Sequence, residues 1–408
     1  MAGSELTPVD DAIKHLLRQA RPTNRTETVA LTESLDRILA RDYTVPADVP
    51  PADNSSVDGY AVRAGDLVSA TRLPVSGRVA AGQEPGSLLP GTAVRIFTGS
   101  EIPAGADSVV MQERVTVVNE GITIDAPVSE GQNIRRQGQD LRRGELALAA
   151  GTKIRPQEMC LLGSMGVAQV EVYARLKVAI LNTGDELVDP GLPLGPGQIY
   201  NSNRYTLLGL LAKAGCEVVL CETLKDNRDA TRNTLERAAA MADLIITSGG
   251  VSVGEEDHVR AVLEESGGLS LWRMAIKPGK PMAFGTIGDT PMLGLPGNPA
   301  SVLITFLVVA MPFIRACQNR AGATDDMGCP GERIPAGFST EQPSVRREFV
   351  RARKSKGADG PVVTSYPNQS SGVMSSACWA DGLAVIPENT TINQGDSVTY
   401  YSFAELLE

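Results

Sequence analysis

The sequence predicts a multidomain α/β plus β protein. A mostly parallel β/α domain is expected at 176–326 and an inserted β-rich module at 44–150. A helical part is split by that insertion into 1–43 and 151–175, and a small C-terminal β-domain fills 327–408. Three observations predict this. A chain of 408 residues is too long for one core and implies roughly two to four domains. After residue 176, apolar strand-like runs alternate with helical periodicity, the pattern of a sheet covered on both faces. On either side of that region the texture turns to short apolar stretches among Gly and Pro, which reads as β with tight turns.

In order along the chain, VDDAIKHLLRQA repeats apolar residues at Val9, Ile13, Leu16 and Leu17 and reads as a helix, with Pro8 in its first turn. LTESLDRILA, with Thr32 as a capping candidate and Leu35, Ile38 and Leu39 in register, reads as a second helix. Stripes this strong ask for a partner surface, and a homodimer is expected. TAVRIF and SVVMQERVTVV mark strands of the β-rich module, and PQEMCLLGSMG (156–166) returns to helix. LKVAILNTG, CEVVLCETL, ADLIITSGG and PMLGL then read as strands. NRYTLLGLLAKAGC, DNRDATRNTLERAAAMA and the run beginning at Pro299 read as the helices between or after them.

Composition excludes several functions. A net charge of −10 is wrong for a non-specific nucleic-acid binder or for adhesion to anionic membranes. Six cysteines form no CxxC pair and only His15 and His258 are present, so no zinc pattern exists. The N-terminus has acids where a signal peptide has its basic region. The apolar run VLITFLVVAMPFI, interrupted by Thr305 and Pro312, is shorter than the roughly 20 residues that span a bilayer and reads as a core helix. A cytoplasmic protein is expected.

In doubly wound sheets ligands bind beyond the carboxyl ends of the strands, here TGDEL, KDN, TSGGVSVGEED and GLPGNP. TGDEL supplies Asp185 and Glu186, although Asp185 alone would serve as an ordinary turn cap. TSGGVSVGEED offers the backbone of Gly249 and Gly250 with Ser252 as an oxyanion cradle, although turns use glycine for ordinary reasons. In GLPGNP, Pro296 and Gly297 shape the turn, Asn298 is placed to cap a helix and Pro299 fits its first position. MAIKPGKPMAFG holds Lys277 and Lys280 between prolines, where they serve either as solvated surface charges or as an anion site. Carboxylates crowd this phosphate-type cradle: Asp185, Glu186, Asp257 and, after the second strand, Asp226. Acids beside a phosphate site fit a hydrated Mg²⁺, held here by Asp185, Glu186 and Asp257. So few histidines leave no nucleophilic triad. A second polar cluster lies in the inserted module, with PPADNSSVDGYAVR, RIFTGSEIPAGADSVVMQE and NIRRQGQDLRRGE supplying Asp58, Thr98, Arg135 and Asp140. Physical chemistry alone leaves those as turn residues and surface charges.

These motifs, with IKPGKP, occur in the order found in the molybdopterin molybdenumtransferase family, and the chain resembles that family from about residue 5 to its end. The family includes bacterial MoeA proteins and the E domain of gephyrin. The resemblance implies a dimer whose β/α domain is MogA-like, similar to molybdopterin adenylyltransferases. It implies insertion of molybdate into adenylylated molybdopterin with release of AMP, using Mg²⁺ or a similar ion. The family's functional acids fall on Asp58, Asp140, Glu186, Asp226 and Asp257. Its cationic and hydroxyl positions fall on Thr98, Arg135, Lys277, Lys280, Arg351 and Ser371. Val57 replaces a common Met, and Arg273 a common Lys, exchanging a point charge for a planar fork. Expected partners are a molybdopterin adenylyltransferase and molybdoenzyme maturation proteins, with neither nucleic acid nor membrane. The alternatives are a molybdopterin adenylyltransferase and a non-catalytic dimeric scaffold.

Overall fold

The computed structural model describes residues 6–68, 71–119, 121–225, 227–250, 258–265, 270–322, 331–357 and 360–407. Its central sheet is built from β1 (Lys177–Thr183), β2 (Glu217–Leu224), β3 (Leu244–Ser248), β4 (Ser270–Arg273), β5 (Pro281–Ile287) and β6 (Thr290–Leu295), in the order β2-β1-β3-β6-β5-β4. The β2–β1, β1–β3 and β3–β6 pairs are parallel, while β5 runs antiparallel to both β6 and β4. The strand β5 was not foreseen: the segment after Lys280 reads as a stiff loop because prolines precede it.

Burial explains the sheet. In β1, Val178 and Ile180 join one core while Ala179 and Leu181 join the core on the opposite face. Successive side chains of a strand point to opposite faces, so a strand covered on both sides is apolar at every step. The helices α1 (Ser202–Lys213), α2 (Arg228–Met241), α3 (His258–Glu265) and α4 (Pro299–Cys317) supply the cover. At 19 residues α4 is longer than its apolar run and long and apolar enough to cross a membrane, yet 89% of its apolar window lies inside the core. Phe306–Ala310 forms a π turn shortly before Pro312, whose missing N–H breaks the regular ladder in any case.

The N-terminal helix Val9–Gln19 lays Val9, Ala12, Ile13 and Leu16 into the same core as α4. Its apolar stripe is therefore covered by its own chain and does not call for a second subunit. The second expected helix is absent. Leu31–Glu33 makes a single 3₁₀ turn, and Asp36 has φ +62°. Ile38 and Leu39 then bridge to Lys153 and Val172 in extended pairing, which takes the apolar positions that mimic a helical stripe. Thr26–Ala30 pairs antiparallel with Gln169–Tyr173, so the chain on both sides of the intervening β-rich stretch meets in one ladder. Within that stretch a six-stranded sheet runs from Gly59 to Ile124. Near the C-terminus another six-stranded sheet incorporates Ile276–Lys277, which pairs parallel with Arg347–Gly357.

Candidate active site

The carboxyl ends of β1, β3 and β6 open into a cleft of about 800 Å³, closed on its other sides by residues 277–281 and 369–371. The glycine turn after β3 is tight: Gly249 has φ +84°, and a Cβ there would lie 2.6 Å from Thr183 Oγ1. Ser248 anchors the floor. Its Oγ accepts hydrogen bonds from Asn182 Nδ2 at 3.0 Å and Asn203 Nδ2 at 3.1 Å, and the same Asn203 group donates to Gly297 O at 2.6 Å. The Oδ1 atoms of both asparagines are buried and have no hydrogen-bond partner among the described residues.

Cations face this floor. Lys277 Nζ lies 2.9 Å from Glu348 Oε1, a contact set up by the pairing of Lys277 with Glu348 along the C-terminal sheet. Lys280 and Arg346 also line the cleft, and neither side chain has a hydrogen bond or ion pair among the described residues. Gly279, between the lysines, has φ +112°, and a Cβ there would sit 2.5 Å from Thr305 Cγ2 on α4. Only glycine meets both conditions.

The wall from the C-terminal domain depends on Arg351, which is 1% exposed. Its Nε donates to Ser376 Oγ and its terminal nitrogen to Ser370 O, both at 3.0 Å. Burial without a neutralising carboxylate pushes its pKa down to about 10. Gln369 exchanges hydrogen bonds with the Arg351 backbone, so both the main chain and the side chain of Arg351 support the 369–371 turn. Asn298 stands at the N-cap of α4 with Pro299 at its first position, but its side chain makes no cap bond. It donates instead to Ser371 Oγ at 3.0 Å, tying the helix start to the neighbouring domain.

Of the residues singled out in the sequence, Glu186, Gly249, Gly250, Lys277, Lys280, Pro296, Gly297, Asn298, Pro299 and Ser371 line this cleft. Asp185 is exposed on the loop beside Glu186 and is not part of the lining, and Arg351 lies behind it. Asp226, Ser252 and Asp257 lie outside the described residues. Asp58, Thr98, Arg135 and Asp140 belong to the β-rich stretch and do not line the cleft. There, Asp58 Oδ1 accepts from both the backbone N–H and the hydroxyl of Thr98 at 2.8 Å, and these bonds hold its carboxyl below the usual range. Arg135 and Asp140 are exposed. Arg346, Tyr200 and Asn203 carry no signal in the sequence: Arg346 reaches the cleft only because Ile276–Lys277 joins the C-terminal sheet.

Among the described residues no three Asp, Glu, His or Cys side chains gather into a metal cage. Among the described residues the cleft lining offers a single carboxylate, Glu186, together with the hydroxyl-bearing Ser202 and Ser248. Such a set suits a largely hydrated Mg²⁺, which uses one or two carboxylates and takes its remaining ligands from water and substrate phosphate.

Three family models match in sequence: the MoeA N-terminal region (domain I and II) over residues 7–166, a probable molybdopterin-binding domain over 179–316, and the MoeA C-terminal region (domain IV) over 333–403. The molybdopterin molybdenumtransferase of Haemophilus influenzae is 40% identical over 403 residues, 98% of this chain and 99% of that one. Molybdopterin molybdenumtransferase 2 of Mycobacterium tuberculosis is 35% identical over 389 residues, covering 92% and 94%. The crystal structure of the molybdopterin biosynthesis MoeA protein from Pyrococcus horikoshii superposes with a TM-score of 0.84 at 29% identity, covering 98% of this chain and 100% of that one.

Proposed function

The chain belongs to the molybdopterin molybdenumtransferase (MoeA) family, and from that premise we propose that it inserts molybdenum from molybdate into adenylylated molybdopterin, releasing AMP, in molybdenum cofactor biosynthesis. The observation that carries the reading is the convergence of Lys277, Lys280 and Arg346 on a glycine cradle at the strand ends, in a cleft lined by no histidine or cysteine among the described residues. Molybdate is a dianion and the substrate brings phosphates, so three cations lower the repulsion between the reactants and orient them. Gly249 spends its own N–H on Leu295 O, so the backbone at Gly250 is the donor this turn offers to a phosphate oxygen. No protein nucleophile is required, because the dithiolene sulfurs of the substrate supply it. Glu186, with Asp185 and Asp257, would hold Mg²⁺, which when bound neutralises charge on the phosphoryl oxygens. Arg351 acts through the 369–371 turn as a positioning residue, and Ser371 fixes Asn298 at the start of α4.

The adenylyltransferase alternative accounts for residues 179–316 and leaves the matched N- and C-terminal regions without a role. Asp58, Thr98, Arg135 and Asp140 enter the reaction through a homodimer, in which the β-rich stretch of one copy faces the cleft of the other. Support for that comes from their absence from the cleft of their own chain together with the family pattern.

The deciding experiment supplies purified protein with adenylylated molybdopterin and Mg²⁺ and follows AMP with and without molybdate. Insertion couples cleavage to molybdate, so AMP release rises with the oxyanion. Equal release in its absence would overturn the reading and return the adenylyltransferase alternative.

A further inference from the structure

One wall of the cleft differs from the rest. Opposite the lysines and glycines stand Leu187, Ile199 and Tyr200, and two of these are large apolar side chains left open to solvent, Ile199 at 55% and Tyr200 at 45%. The segment that carries them is held in place. Leu187 and Val188 pair in parallel with Ile199 and Tyr200, and Ile199 N–H donates to Glu186 O at 2.9 Å. Asp189 is braced by the guanidinium of Arg204 at 3.0 Å. The Tyr200 hydroxyl donates to Leu192 O at 3.0 Å, which fixes the ring by its polar end and leaves its carbon faces free.

A tyrosine exposed only for solubility has no need of a tether. Here the hydroxyl is spent on the protein's own backbone, and an orienting bond of that kind favours one ring position before a ligand arrives. The cleft thus has a cationic, hydrogen-bonding half and an apolar, aromatic half within one volume of about 800 Å³. A ligand that fills both has phosphate at one end and a flat ring at the other. We propose that the Tyr200 ring is the stacking platform for a planar nitrogen heterocycle of the bound substrate. The inference rests on the functional reading for the identity of that substrate. The pterin and the adenine of adenylylated molybdopterin share this chemistry. Because Ile199 is bonded to the backbone of Glu186, ring placement and placement of the acid are mechanically linked.

The test is equilibrium binding to the full-length protein, read by calorimetry, with AMP, molybdopterin and inorganic phosphate as separate probes. Tyr200→Ala and Tyr200→Leu both remove the ring, and Tyr200→Leu retains apolar bulk should the alanine variant fold poorly. Tyr200→Phe keeps the ring. Loss of stacking weakens binding of the relevant heterocycle about tenfold in Y200A and Y200L. Phosphate affinity stays within about twofold of wild type, and Y200F stays within about threefold. A loss confined to AMP identifies adenine as the ring, and a loss confined to molybdopterin identifies the pterin; either supports the platform. Unchanged affinity for both heterocycles overturns it. So does an equal loss for the heterocycle and for phosphate, which would mark Tyr200 as a structural residue only. Binding is measured apart from turnover, so a protein without molybdate-dependent AMP release but with Tyr200-dependent AMP binding would sink the reaction and leave the platform standing.

Discussion

Lys277 already has a carboxylate partner before any substrate arrives, whereas Lys280 has none among the described residues. An incoming dianion therefore competes with Glu348 for one lysine and finds the other available. Lys280→Ala removes a charge-assisted contact outright, which costs on the order of 1.5 to 3 kcal/mol and raises the KM for molybdate by roughly ten- to a hundredfold. Lys277→Ala removes the same kind of contact and also leaves Glu348 facing the anion, so its KM increase is at least as large. Steady-state AMP release against molybdate concentration measures both, and a KM unchanged in each would remove the lysines from the anion site. Arg351 is a different case, because it touches no cleft surface. Arg351→Ala strips partners from Ser370 O and Ser376 Oγ in a buried setting, and a loss of about 3 kcal/mol in urea unfolding is expected. A variant as stable as wild type would show that water replaces the guanidinium.

The short strand Ile276–Lys277 is the element on which the site turns. It lies between β4 and β5 in sequence but hydrogen-bonds to the C-terminal sheet, while Thr7 pairs with Met274 just before it. Gly279→Ala would force φ +112° on a residue with a Cβ and press that atom against Thr305. The turn would shift both lysines, and kcat/KM should fall at least tenfold with Tm lowered, checked by turnover and thermal unfolding. Little of this element was legible in the sequence. The β/α alternation was, because strands covered on both faces are apolar at every position, as in Val178 to Leu181. The glycine and proline loops were, because local turn chemistry fixes them. The extended pairing of Ile38 and Leu39 was not, since two neighbouring apolar residues satisfy a helical stripe and a bridge equally well. Nor was Arg346, which meets the lysines only through the strand pairing of Ile276–Lys277 with the C-terminal sheet.

At the scale of the molecule, the N-terminal helix is tied to the far end of the chain. Arg347 makes a two-pronged ion pair with Asp10, at 2.6 and 2.8 Å, and a further contact with Glu388. The hydrogen bond from Arg347 holds the Asp10 carboxyl below its usual value of 3.8. A carboxylate whose folded pKa is depressed contributes stability that is present above the unfolded value and lost as pH falls through the folded one. Asp10 is about half exposed, so the contribution is small, about 0.2 to 1 kcal/mol. Asp10→Asn should therefore be less stable than wild type near neutral pH, with the gap closing below the usual Asp range. Urea unfolding at a series of pH values checks this, and a gap independent of pH would assign the loss to something other than charge. The homodimer is tested at the same scale. Light scattering at micromolar protein should give twice the chain mass, and at low molybdate a mixture of Asp58→Asn with Lys277→Ala should be more active than either variant alone. A monomer, or a mixture no more active than its components, would confine each cleft to residues of its own chain.

The ribosome delivers this cleft in an inconvenient sequence. By the time α4 has emerged, β1 to β6 can already form their sheet, yet the lysine strand still lacks the partner that arrives with Arg347–Gly357, and the wall at 369–371 comes later still. Thr7, made well before the sheet, waits for Met274 to fill its bridge. A nascent or truncated chain can thus possess the whole β/α fold and still be unable to hold its cations in place. The cations are held in place only when a segment from before the sheet and one from after it have both closed on residues 274–277.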